Sequence, residues 1–210
     1  MKDFFVIEGV DGSGKTTLAK RLTSWLSSEG IPCELVHNPS STQLGLEIGE
    51  RLKNFNRHSD LVKISLFMAS HFELLDQYIL PALAKGKIVI CDRYLPSTLI
   101  YQFDAMILKK TLPNWMISCC DALCEATTKM PRPEAYFILK CRWDAIAGRR
   151  PIQSMDNLEY DAQNMTRIAN SYRNIGQLTG STVYSLDALA TPDEVFADAK
   201  NRLQGVIGNR

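Results

Sequence analysis

The chain has 210 residues, 45% of them hydrophobic and 22% charged, with a net charge of +1, which suits one sizeable domain over residues 1–210 and is short for two. That near-neutral balance gives no global footprint for a nucleic acid or a membrane surface, and no apolar run approaches the roughly 18 residues of a membrane span. The opening "MKDFFVIEGVDG" has a brief apolar run and no small-residue cleavage site, so a cytoplasmic location is expected.

"FFVIE" is an apolar, partly β-branched run that ends at a glycine turn. "TTLAKRLTSWLSSEG" follows, with Leu18, Leu22, Trp25 and Leu26 at helical spacing and Gly30 as a stop. The order strand, loop, helix is therefore predicted. "PCELVHN" reads as a short strand before the polar loop "NPSSTQ", and Gln43 to about Lys85 carries a helical pattern with Pro81 at a kink or junction. "KIVICDRY" and "EAYFILKC" repeat the apolar strand pattern, and "STVYSLDA" is a weaker instance. Strands alternating with helices imply a parallel sheet covered on both faces. The segment from Ala105 to Pro133 is irregular, with helical fragments between Pro113 and Met130. Six cysteines, Cys33, Cys91, Cys119, Cys120, Cys124 and Cys141, sit mostly in apolar runs, as small buried hydrophobes in a reducing compartment do. "CCDALC" lacks paired C-x-x-C knuckles and a nearby histidine, which argues against a metal site there.

Gly9, Gly14, Lys15 and Thr16 fit G-x-x-x-x-G-K-[ST]. Glycines at those positions let backbone N–H groups turn onto phosphate oxygens, and the following helix offers its positive end. The loop Gly9, Asp11, Gly12, Ser13, Gly14, Lys15, Thr16 and Thr17 is thus the candidate nucleotide cradle. Lys15 would reach the β/γ-phosphates of ATP, and Thr16 would ligate Mg²⁺. This pattern alone leaves kinase, GTPase, motor and transporter ATPase open, although no NKxD-type guanine-reading motif is present.

Asp92 and Arg93 close the apolar run Ile88-Val89-Ile90, at the carboxyl end of a predicted strand, where ligands sit in open α/β sheets. An ion pair is one reading. An acid for the Mg²⁺ shell and an arginine for a phosphate is the other.

"IEGVDGSGKTT", "LFMASHFELLDQYILPALAKGKIVICDRYLPSTLIYQ", "DNLEY" and "SYRNI" resemble thymidylate kinase, in the same order and at similar spacing, over about Phe4 to Ala199. The resemblance implies a P-loop NTPase fold, a five-stranded parallel sheet flanked by helices with a short mobile lid at about 142–160, and a homodimer. It also implies transfer of the ATP γ-phosphate to a pyrimidine deoxynucleoside monophosphate, with thymidylate as the default. Deoxyuridylate or a 5-substituted deoxyuridylate is the alternative acceptor. By the same resemblance Asp11 contacts the acceptor sugar, Arg93 holds the acceptor phosphate, and Phe67 stacks on the pyrimidine. Ser97, Thr98, Tyr101 and Gln102 line the base and deoxyribose. Arg149 aligns with the first lid arginine, so Arg149 or Arg150 is the candidate for transition-state charge stabilisation. Residue by residue, Asp11 also reads as a turn residue, Phe67 as core, and Arg149 and Arg150 as solvated arginines.

The departures are equally specific. The family's glutamate-proline-glycine-glycine-threonine or arginine-bearing loop reads "HNPSST" here, and His71 stands where an arginine usually contacts the thymine edge. His71 lies one helical turn after Phe67, within reach of a base stacked on that ring, so altered base reading is expected. Lys140 and Asn157 replace an acid and a lid arginine. Two rival functions remain: a nucleoside kinase using Asp92 or Glu8 as a base, and a noncatalytic nucleotide-binding module.

Overall fold

The computed structural model describes residues 2–52, 59–103, 118, 119, 122, 125, 130–146, 162–173 and 181–208. Strands β1 (Phe4–Gly9), β2 (Cys33–His37), β3 (Ile88–Asp92), β4 (Ala135–Lys140) and β5 (Thr182–Asp187) form one sheet in the order β2-β3-β1-β4-β5. Every pairing is parallel. The expected five-stranded α/β architecture is therefore present. Central strands β1, β3 and β4 are buried almost throughout, which is why they read as continuous apolar runs rather than alternating ones. Edge strand β5 has only Leu186 fully buried, and its sequence signal is correspondingly weak.

Because successive strand side chains point to opposite faces, the sheet carries two cores. Phe5, Ile7, Ile90, Phe137 and Leu139 pack with Leu18, Leu22 and Leu26 of α1 (Lys15–Ser28) and with the helix over Pro192–Ile207. Phe4, Val6, Val89, Cys91 and Ile138 pack on the other face with Ile64, Met68 and Ile79. Each wholly buried Leu, Ile or Phe contributes roughly 1.5–3 kcal/mol relative to exposure.

After β2 come α2 (Gln43–Leu52) and α3 (Asp60–Leu74). A wide turn over Leu75–Ile79 joins α3 to α4 (Leu80–Ala84), and Leu80 N–H donates to Leu75 O rather than one residue closer. Pro81 follows at once. Its missing N–H and its ring are what a regular helix cannot absorb, and the widened turn lies just upstream, so the sequence reading of a junction at Pro81 holds. Beyond β3 come α5 (Leu95–Thr98), a second wide turn over Leu99–Phe103, α6 (Trp143–Ile146), α7 (Ala162–Arg173) and α8 (Pro192–Ile207). Among the described residues no helix is long and apolar enough to cross a membrane.

Register aligns the carboxyl ends. Asp92 pairs with both Ile7 and His37, and Gly9 with Leu139. One edge of the sheet therefore presents the β1–α1 loop, the end of β2 and the β3–α5 junction side by side.

Candidate active site

Gly9 ends β1 with φ 146°, and a Cβ there would lie 2.8 Å from Leu139 O on β4. Only glycine lets the chain leave the strand this close to its neighbour. Gly14, at φ 97°, caps α1. The loop between them, with Lys15, Thr16, Thr17, His37 and Arg93, borders a cavity of about 370 Å³. Such a loop aims backbone donors and a helix amino terminus at an anion.

Lys15 is buried, and its Nζ donates to Val10 O at 2.8 Å and lies 3.9 Å from Asp11 Oδ1. Burial, followed by the charge of Arg93, lowers its amine to about 8, against the pull of Asp11, Asp92 and Glu8. Thr16 Oγ1 donates to Asp92 Oδ2 at 2.5 Å. Asp92 is 1% exposed, and its Oδ1 has no hydrogen-bond partner. A buried carboxylate oxygen left unpaired is costly in isolation, and a hydroxyl beside it completes a donor set that fits a hard cation such as Mg²⁺. His37 adds a nitrogen: its Nε2 is 3.6 Å from Asp92 Oδ2, while Nδ1 lies 2.6 Å from Ser40 Oγ. Burial keeps the His37 imidazole below its ordinary pKa, and Asp92 opposes that.

Arg93 occupies left-handed backbone, at φ 72°, a conformation that non-glycine residues rarely adopt. Glu8 explains how it is held. This wholly buried carboxylate accepts from Tyr94 N at 2.8 Å, Ser97 N at 3.2 Å, Ser97 Oγ at 2.7 Å and Tyr172 Oη at 3.1 Å. It thereby ties the start of α5 to β1 and to α7. Burial raises the Glu8 carboxyl, with Arg93, the Tyr94 N–H, the Ser97 hydroxyl and Lys15 pulling the other way. The Arg93 guanidinium then pairs with Asp11 Oδ1, donates to Ser97 Oγ at 2.9 Å and lies over the Tyr101 ring, 5.6 Å from its centroid. Burial alone would lower its pKa, but Asp11 leads the groups that raise it, so the charge is permanent.

Further along the edge, His71 is wholly buried. Asn38 Nδ2 lies 3.2 Å and Thr98 Oγ1 3.0 Å from its Nε2, and Ser70 Oγ donates to Asn38 Oδ1 at 2.7 Å. The Tyr94 ring meets it edge-on at 5.4 Å. Burial lowers its pKa to about 3, so the ring is neutral. Nε2 is thus shared between Asn38 and Thr98, while Nδ1 is buried without a hydrogen-bond partner. Phe67 is partly buried on the same helix. The altered "HNPSST" loop is a defined turn: Ser41 N donates to His37 O at 2.9 Å and His37 N to Ser41 Oγ at 2.7 Å.

The structure therefore gathers Asp11, Gly12, Gly14, Lys15, Thr16, Thr17 and Arg93 around one cavity and links Asp92 to it through Thr16. Ser97, Thr98 and Tyr101 stand beside Arg93 and His71. The Gln102 side chain, Arg149, Arg150 and residues 147–160 of the expected lid at 142–160 lie outside the described residues, as does most of 105–133. Sequence reading did not assign His37 and Tyr172, and gave Glu8 weight only under the nucleoside-kinase alternative. The available signals were a carboxylate closing a buried strand, "SYRNI", and a histidine at the end of β2.

A thymidylate kinase family model matches residues 7–199. The chain is 48% identical over 201 residues to a probable thymidylate kinase of Pyrococcus abyssi, covering 93% of this chain and 92% of that protein. It is 41% identical over 207 residues to a thymidylate kinase of Cutibacterium acnes, covering 97% of each. A Dehalococcoides mccartyi thymidylate kinase is 32% identical over 213 residues, covering 100% of this chain and 99% of that protein.

Proposed function

Because the chain belongs to the thymidylate kinase family, we propose that it transfers the γ-phosphate of ATP to a pyrimidine deoxynucleoside monophosphate, with thymidylate as acceptor. The observation that carries this reading is Arg93, held by Asp11 and Ser97 at the mouth of the Lys15 loop. This supports the reading because a permanent cation beside the donor loop suits an acceptor phosphate.

Phosphoryl transfer asks the protein for position and charge rather than covalent chemistry. Backbone donors of Gly12–Thr17 take the donor phosphates, and Lys15 swings from Val10 O to the bridging and terminal oxygens. Arg93 takes the acceptor phosphate, Asp11 the sugar, Phe67 stacks on the base, and Ser97, Thr98, Tyr101 and Gln102 enclose base and sugar. His71 acts on the base by fixing Thr98. Thr16 and Asp92 would hold Mg²⁺, which would supply charge neutralisation at the donor phosphates. Arg149 or Arg150 supplies charge to the transition state from the lid. A reducing, cytoplasmic setting accords with Cys33, Cys91, Cys119 and Cys141 being free thiols. A homodimer would cover Val62, Phe72 and Leu80, which are exposed on the α3–α4 helix.

A coupled assay with ATP, Mg²⁺ and a panel of nucleosides and monophosphates tests the reading. Thymidylate should be the best acceptor, and Lys15→Ala should abolish turnover in a folded protein, because the lost charge weighs most in the transition state. Turnover on nucleosides but not monophosphates, or full activity in Lys15→Ala, would overturn it.

A further inference from the structure

His37 closes β2 directly beside Asp92 in the parallel register, so the sheet itself places an imidazole next to the proposed cation carboxylate. Three observations converge on this point. Asp92 Oδ1 is buried without a hydrogen-bond partner. His37 Nε2 lies 3.6 Å from Asp92 Oδ2, beyond a hydrogen bond yet close enough for both atoms to face one ion. Ser40 Oγ lies 2.6 Å from Nδ1; in the tautomer with the proton on Nδ1 this hydroxyl accepts it and the Nε2 lone pair is free, as an outer partner arranges for a metal-bound histidine. His37 also borders both the nucleotide cavity and an adjoining cavity of about 270 Å³ that it shares with Thr16, Ser40 and Asp92. No group of three or more His, Cys, Asp or Glu side chains is gathered for a metal among the described residues, so the remaining donors must be phosphate oxygens and water.

We infer that His37 is a nitrogen donor to the divalent cation that accompanies the nucleotide, and that it biases the site toward transition-metal dications such as Mn²⁺ relative to an all-oxygen site. The inference rests on the proposed cation site at Thr16 and Asp92. Its chemical basis is that magnesium prefers oxygen ligands, whereas imidazole strengthens binding of first-row transition ions.

Pulsed electron paramagnetic resonance of the full chain with Mn²⁺ and ADP reads this directly. Wild type should show nitrogen coupling to Mn²⁺ that changes when the protein is grown with ¹⁵N-histidine, a readout that needs no variant. His37→Gln should remove that coupling and lower the ratio of Mn²⁺ to Mg²⁺ affinity by about tenfold in a competition titration. His37→Asn serves if the first variant does not fold. Spectra indifferent to the histidine label, or a coupling that survives in the variant, would overturn the role of His37 while leaving the cation site standing. Failure of Mn²⁺ to join the protein–nucleotide complex at all would overturn the Thr16 and Asp92 assignment and the inference with it.

Discussion

His71 illustrates how one residue can share a predicted face and still occupy a different environment. Its spacing from Phe67 placed it correctly on the helix, but spacing could not reveal that Asn38, 33 positions earlier, would close over its Nε2. Burial then has a measurable consequence. The folded imidazole titrates at about 3 against an ordinary 6.5, so below pH 6.5 the unfolded chain binds a proton that the folded chain refuses. Stability from this group is complete above pH 6.5 and falls as pH drops toward 3, by about 1.4 kcal/mol per unit within the window. The groups facing the ring, Asn38, Thr98 and the Tyr94 ring, carry no charge that would compensate. Urea unfolding at pH 7, 6 and 5 should therefore show a steeper acid loss for wild type than for His71→Gln. Parallel slopes would mean that the ring is not enclosed. Substrate preference tests the same residue differently: relative kcat/KM for thymidylate, deoxyuridylate and deoxycytidylate should shift in His71→Ala through the loosened Thr98, and ratios unchanged within about twofold would remove any role in base reading.

At the scale of elements, the legible and illegible parts separate by the range of the interactions that build them. The β1–loop–α1 unit was readable because its glycines, lysine and apolar spacing are local. The brace from Glu8 to Ser97 and Tyr172 spans 89 and 164 positions, and no local pattern announces it. Replacing Glu8 with Ala should leave Tyr94 N short of an acceptor, while Ser97 N keeps Tyr94 O and Tyr172 Oη keeps Ser97 Oγ, a loss of about 1–3 kcal/mol, and should raise KM for the acceptor because α5 no longer holds Arg93. Glu8→Gln keeps one acceptor oxygen and should lie between. Wild-type acceptor KM in Glu8→Ala would show that Arg93 does not depend on this brace. The "HNPSST" turn offers a second test. Gly45 on α2 sits so close to the turn that an added Cβ would fall 1.6 Å from Pro39 O, while Gly45 N donates to Thr42 Oγ1 at 2.9 Å. Gly45→Ala must push turn and helix apart, costing on the order of 3 kcal/mol, and would carry His37 and Asn38 with it. A lower urea midpoint with an unchanged slope is the expected signature; an unshifted midpoint would mean that turn and helix are not in contact.

For the whole molecule, the parallel sheet places two loops from different strand ends at one edge, and the proposed reaction requires that they serve different substrates. Lys15 follows β1 and Arg93 follows β3, and Asp11 touches both. If this division is real, each substrate should stabilise the protein through its own cation. A ligand at a hundredfold excess over its Kd adds about 2.7 kcal/mol, which for a chain of this size raises Tm by roughly 5–10 °C. In thermal unfolding, a nonhydrolysable ATP analogue with Mg²⁺ and thymidylate should each produce such a shift in wild type. Lys15→Ala should lose most of the analogue's shift and keep that of thymidylate. Arg93→Ala should lose the thymidylate shift and retain a good part of the analogue's, reduced because Arg93 also borders the donor cavity. Equal loss of both shifts in either variant would show that the two loops form one binding unit rather than a donor side and an acceptor side, and the assignment of Arg93 to the acceptor would fail.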